Sequence, residues 1–139
     1  MARNIIKSDY DYECGLIAIA SSQKDYRLCW YLNELLGINL SKENDIEINF
    51  RKKKKLAYFP LYSFVVDEQV LEYFFFGNKS PGELLVPEYR AADFFLMIKS
   101  ELHGELTKTI LEKVKNLQAI QTAFAVDIMK LKSKEHLVF

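Results

Sequence analysis

Glu88, Arg90 and Asp93 stand close together in the segment Val86-Pro87-Glu88-Tyr89-Arg90-Ala91-Ala92-Asp93-Phe94. Two carboxylates in one cleft can do acid–base work if their surroundings raise a pKa. A charged group of this kind can also grip a ligand or a partner. The same residues have a structural use. Pro87 fixes its own φ and ends a strand. Asp93 can accept backbone N–H bonds and shape the entry to the next strand, while Glu88 pairs locally with Arg90. The structural reading is preferred. Pro87, Glu88, Arg90 and Asp93 are kept as candidate binding residues, and an enzyme using carboxylates near Glu88 and Asp93 is the third functional reading.

Other chemistry is thinly represented. Arg51-Lys52-Lys53-Lys54-Lys55 is a basic run able to touch phosphates, with aromatics nearby for base stacking. The glycine-punctuated pattern of an RNA-recognition motif is missing, however. A solvated hairpin end explains the run, and its self-repulsion discourages edge pairing. His103 and His136 are the only histidines, and neither has a ligand spacing. Cys29 falls mid-helix, where reactivity needs an electropositive neighbour. The sequence carries no phosphate-cradling glycine loop, nucleophile elbow or zinc spacing. No metal and no cofactor are expected, and Cys14 and Cys29 are expected to be thiols.

Several elements must position these groups. Cys14 to Ala20 is apolar and β-branched, as in a buried strand. Ser22-Gln23-Lys24-Asp25 predicts a helix start, with Ser22 as the cap and Asp25 reaching back. Leu28, Leu32, Leu35 and Leu36 continue at helical spacing, and Gly37 suits a left-handed stop. Ile46 to Phe50 alternates as a half-buried strand. Leu56 to Val66 and Val70 to Phe76 predict a hairpin about Asp67, Glu68 and Gln69, with Pro60 marking an edge strand or a bulge. Gly77 to Gly82 reads as a loop, Glu83 to Val86 as a short strand and Phe94 to Lys99 as a strong one. Leu106, Ile110, Val114 and Leu117 predict a second helix, and Ile120 to Ile128 alternates as a last strand. Leu137-Val138-Phe139 is an apolar tail expected to dock.

The expected fold is therefore α+β: one domain over 1–139, with a mainly antiparallel sheet and two helices on one face. From Phe94 to Ile128 the pattern resembles a ferredoxin-like or ACT-type β-α-β unit. With the helices on one face, the other carries more aromatic surface than a monomer exposes. Either an extra segment such as Leu137 to Phe139 covers it, or a second copy does. A homodimer is expected, with Tyr58, Tyr62, Phe64, Phe74 and Phe76 as possible interface residues.

Lys plus Arg total 19 and Asp plus Glu total 19, so no net field draws nucleic acid or an anionic membrane. Met1 to Tyr10 has no apolar run of signal-peptide length, and no apolar run approaches a membrane span. A cytoplasmic protein is expected.

Val86 to Phe94 closely resembles the motif that names the IPExxxVDY family, small uncharacterised proteins of Bacteroidota. Pro87, Glu88 and Asp93 match the motif; Val86, Ala92 and Phe94 replace its Ile, Val and Tyr. Phe75-Phe76-Gly77-Asn78-Lys79 and Lys130-Leu131-Lys132-Ser133-Lys134-Glu135 extend the likeness over almost the whole chain. The resemblance implies a cytoplasmic α+β protein and no particular reaction, cofactor or catalytic residue. Phe94 lacks the family's hydroxyl, so only a packing role at that position would survive. The functional expectation is a small non-enzymatic interaction or regulatory module acting as a homodimer. The alternative is an ACT-like domain that binds a small ligand.

Overall fold

β1 (Cys14–Ala20) is an interior strand, buried on both faces, and therefore reads as an unbroken apolar run. The computed structural model describes residues 13–67, 70–137 and 139. Met1 to Tyr10, Glu68 and Gln69 of the expected hairpin loop, and Val138 of the tail lie outside them.

Downstream come α1 (Asp25–Leu36), β2 (Ser41–Lys42), β3 (Ile46–Phe50), β4 (Lys55–Phe59), β5 (Leu61–Asp67), β6 (Leu71–Gly77), β7 (Lys79–Ser80) and β8 (Glu83–Leu84). The order closes with β9 (Phe94–Lys99), α2 (His103–Lys115) and β10 (Thr122–Val126). Six strands form one antiparallel sheet in the order β10-β1-β9-β6-β5-β2; β3 with β4, and β7 with β8, form separate two-stranded ribbons. The fold is thus α+β, as expected.

The ferredoxin-like pattern extends beyond the closing unit. Because β1 is antiparallel to both β9 and β10, those two run parallel with β1 between them. Likewise β9 separates β1 from β6. The four strands that flank the helices therefore have the split β-α-β arrangement twice over, and β5 and β2 widen the sheet beyond β6.

Both helices lie on one face. Leu28, Cys29 and Leu32 of α1, with Ile110 and Val114 of α2, pack on Ile17, Ile19, Phe75, Phe94, Leu96 and Ile98. Gly37 ends α1 at φ 64°, and its N–H reaches the Asn33 carbonyl at 2.9 Å. The start of α1 differs from expectation. Lys24, not Ser22, is the first flanking residue, and no side chain caps the helix. The serine that acts is Ser21. It donates to the Ala119 carbonyl at 2.7 Å and accepts from the Gln23 N–H at 3.2 Å. Asp25 accepts from the Tyr62 hydroxyl at 2.8 Å instead of reaching back.

The second face is covered by the chain itself. Ala57 and Phe59 of β4, Leu85, Val86 and Ala92, and Leu131 and Leu137 bury Leu16, Ala18, Phe74, Phe76, Phe95 and Met97. The Phe139 ring lies 5.2 Å from those of Phe74 and Phe76, so the tail docks.

Pro60 marks neither an edge strand nor a bulge. It separates β4 from β5, at the point where the chain leaves one sheet for another. The neighbouring strand accommodates it because Gly77 has no side chain: a Cβ there would lie 2.9 Å from the proline ring. The irregularity in pairing falls later, between Val65 and Asp67. Among the described residues no helix is long and apolar enough to cross a membrane.

Candidate functional site

A loop of buried backbone needs partners for its N–H and C=O groups. The buried ends of the Val86–Asp93 loop share one side chain, Asn78, which is fully buried. Its amide nitrogen donates to the carbonyls of Ala92 at 2.9 Å and Tyr89 at 3.0 Å, and its oxygen accepts from the Val86 N–H at 2.7 Å. Its backbone N–H donates to the Asp93 carbonyl, and its carbonyl accepts from the Leu85 N–H, both at 2.9 Å. Val86, at φ −122° and ψ 87°, stays out of the helical region that a following proline disfavours, and Pro87 opens a single 3₁₀ turn to Tyr89. Val86, Ala92 and Phe94 are all core residues, so the apolar positions of the motif serve packing. Phe94 stacks on Phe75 at 5.2 Å.

The carboxylates turn inward, to the protein's own amides. Asp93 accepts from the Ser21 N–H at 2.9 Å and pairs with the Lys79 ammonium at 2.7 Å. Its own N–H reaches the Ile19 carbonyl at 2.8 Å. Asp93 therefore fastens the end of β1 to the start of β9. An Asp93→Ala variant is expected to lose about 1.5–3 kcal/mol in chemical denaturation, chiefly from the unpaired Ser21 donor. The half-exposed Lys79 pair adds at most about 1 kcal/mol. A variant as stable as the parent would return Asp93 to the search for chemistry.

Glu88 does not pair with Arg90. It accepts from the Ser133 hydroxyl at 2.8 Å, the Ser133 N–H at 3.0 Å and the Lys132 N–H, which ties the motif to the C-terminal segment. Burial pushes its carboxyl up, but the Ser133 hydroxyl and the surrounding N–H groups outweigh this, and the pKa lies below the usual 4.5. The sign follows from linkage. A depressed folded-state pKa gives stability that is present above the unfolded value and lost as pH falls through the folded one. The stability advantage over Glu88→Gln should therefore be complete at neutral pH and vanish in acid below pH 4.5, as acid titrations of both proteins would read out.

Arg90 is left over. It is exposed, and among the described residues it makes no ion pair or side-chain hydrogen bond. It lines a cleft of about 640 Å³ together with Pro87, Lys79, Glu83, Phe50 and Lys53. The basic run reaches this cleft because Arg51–Lys53 makes a 3₁₀ turn and Lys54 adopts a left-handed φ of 52°, which closes the β3–β4 hairpin. The motif and the basic run, far apart in sequence, thus meet here. Glu83 is the acid of the cleft, and its side chain is buried. It is held at 3.2 Å by Lys53 and at 3.8 Å by Lys55, while Lys55 also donates to the Pro81 carbonyl. The wall carries Lys53, Lys79 and Arg90 against Glu83, an excess of positive charge with one guanidinium uncommitted. Asn78, Glu83 and Lys79 were invisible as site residues in the sequence. Asn78 and Lys79 read only as part of the Gly77–Gly82 loop, and Glu83 only as the start of a short strand.

The expected interface aromatics do not come together. Phe74 and Phe76 are core residues beneath Phe139, and Tyr62 is buried beside α1, so none of these three is available to a second copy. Burial and the Asp25 hydrogen bond push the Tyr62 hydroxyl far above its ordinary pKa. Phe64 packs at the edge of the helix-side core, and Tyr58 stands exposed on β4. Cys14 and Cys29 are buried thiols. Burial and the neighbouring Asp25 push Cys29 up to about 11 despite a bond from Asn33, the opposite of an activated nucleophile. His136 holds the Leu85 carbonyl at 2.8 Å and His103 opens α2. Among the described residues no three His, Cys, Asp or Glu side chains are grouped to hold a metal.

Comparison with models of known protein families finds none that matches, and comparison with curated proteins finds none either.

Proposed function

We propose that this is a cytoplasmic, non-enzymatic binding module of the IPExxxVDY type, which takes an anionic group of its partner in the Arg90 cleft. The observation that carries the reading is the uncommitted guanidinium of Arg90 beside Lys53 and Lys79, while Glu88 and Asp93 are occupied by backbone amides. A guanidinium presents donors in a fork that fits a carboxylate or phosphate at two points. Phe50 and Pro87 offer apolar wall for the remainder of the ligand. An enzyme using the motif's carboxylates is disfavoured, since Glu88 is held ionised and lacks the raised pKa of a general acid. The twofold split β-α-β arrangement favours, as a second reading, an ACT-like domain binding a small anionic ligand, although fold alone does not assign function.

Inorganic phosphate and tripolyphosphate, titrated while amide resonances are followed, test the site. Shifts should concentrate at Ser80, Gly82, Phe50 and Arg90. Arg90→Ala should weaken binding about tenfold or more, from loss of a charge-assisted contact. Its stability should stay within about 0.5 kcal/mol of the parent, since nothing in the fold leans on that side chain. Shifts spread evenly over all surface lysines would reject the cleft.

A further inference from the structure

The two edges of the six-stranded sheet are unlike. At one end β2 is only two residues long, Ser41–Lys42, and carries a lysine. Short, charged edges of that kind resist pairing with another chain. At the other end β10 is Thr122-Ala123-Phe124-Ala125-Val126, with no charge and no proline, and its register with β1 is regular throughout. Among the described residues its second side has no strand neighbour. Thr122, Phe124 and Ala125 are exposed, Phe124 at 39%. The Phe124 ring sits 5.6 Å from Tyr89, which makes an apolar shelf beside the open backbone.

We infer that a second copy of this chain adds to β10, antiparallel, about a two-fold axis at Phe124. That register opposes Phe124 to Phe124, Ala123 to Ala125 and Thr122 to Val126, so every facing pair is uncharged. It also opposes Gln121 to Asp127 at both ends. The Asp127 carboxylate receives the Met129 N–H on one oxygen, and its other oxygen can accept from the Gln amide. No like charges meet anywhere along the seven residues from Gln121 to Asp127. A second copy meets no charge clash in this register and gains the Gln121–Asp127 contact at both ends, which a strand lacking those residues does not offer. The partner sheet continues past β10, and the buried aromatics of the second face take no part. The interface and the Arg90 cleft use different residues, so either can fail without the other.

Sedimentation equilibrium at micromolar concentration should give twice the 16.3 kDa chain mass. Phe124→Lys should sediment as a monomer, because the axis sets the two lysines against each other, and so should Phe124→Glu. Mixing the two variants should restore the dimer, which requires position 124 to face its own copy. A wild-type monomer overturns the proposal, as does a Phe124→Lys dimer as stable as the parent. If either variant fails to fold, hydrogen exchange on the wild type decides. Protection of the amides 122–126 should rise with protein concentration, and protection independent of concentration would overturn the inference.

Discussion

Asn78→Ala should lower stability by about 3–5 kcal/mol, placing it among the severest single substitutions in the chain. The side chain is wholly buried and bonds two carbonyls and one N–H of the Val86–Asp93 loop. Alanine removes all of these at once and leaves the Val86 N–H and the Ala92 carbonyl buried without a partner, while the Tyr89 carbonyl keeps only the Ala92 N–H. A buried donor or acceptor without a partner costs about 1–3 kcal/mol. Asn78→Asp is nearly as harmful, since an acid cannot donate to the Tyr89 and Ala92 carbonyls while ionised. Chemical denaturation gives the magnitude. Amide exchange gives the location, with early opening expected across 85–93. A loss below about 1 kcal/mol would mean that water replaces the amide, and the loop would then be less dry than its burial states.

Gly15→Ala should be comparably damaging, for a reason of volume. A Cβ on Gly15 would lie 1.9 Å from the Thr107 hydroxyl oxygen and 2.9 Å from its Cβ. The strand and α2 would have to part, and overpacking of this kind costs about 1–3 kcal/mol or more. The same contact leaves the Thr107 hydroxyl buried with no hydrogen-bond partner. Thr107→Ala should therefore be close to neutral by itself, gaining from the lost polar group what it concedes in packing. It should also recover part of the Gly15→Ala loss. A double-mutant cycle measures this coupling. Additive effects would mean that the helix moves away freely and that the close approach is incidental.

The elements were largely legible because each carries its own period: the apolar run of β1, the leucines of α1, the i, i+4 steps of α2. What covers the sheet's second face was legible only in part. The sequence offered Leu137 to Phe139 as one cover, and Phe139 does lie on Phe74 and Phe76. Ala57 and Val86 come from two other segments, and no local pattern says that they converge there. Pro60 was visible as a break, but whether the chain bulges or changes sheets depends on Gly77 making room opposite. At the site, Asp93 was legible as an acid that satisfies backbone, whereas Glu88 was expected on Arg90 and instead binds Lys132 and Ser133. Ser21, Lys132 and Ser133 are ordinary surface types in sequence, and it is their distance along the chain that hides them. The cleft is the extreme case, since it exists only where a hairpin end meets a loop.

The position of β1 has a consequence for how the protein is made. Both neighbours of this strand, β9 and β10, come from the second half of the chain, with Leu16 opposite Met97 on one side and Val126 on the other. During synthesis β1 emerges first of the described strands and finds no partner until residues 94–126 have followed. Throughout that interval α1 can cover Ile17 and Ile19, but both backbone edges of β1 stay unpaired, and such a strand is prone to mispairing. A chaperone that holds extended chain would protect those edges. Slowing translation between β1 and β9 should therefore lower the soluble yield, whereas slowing it after β10 should not.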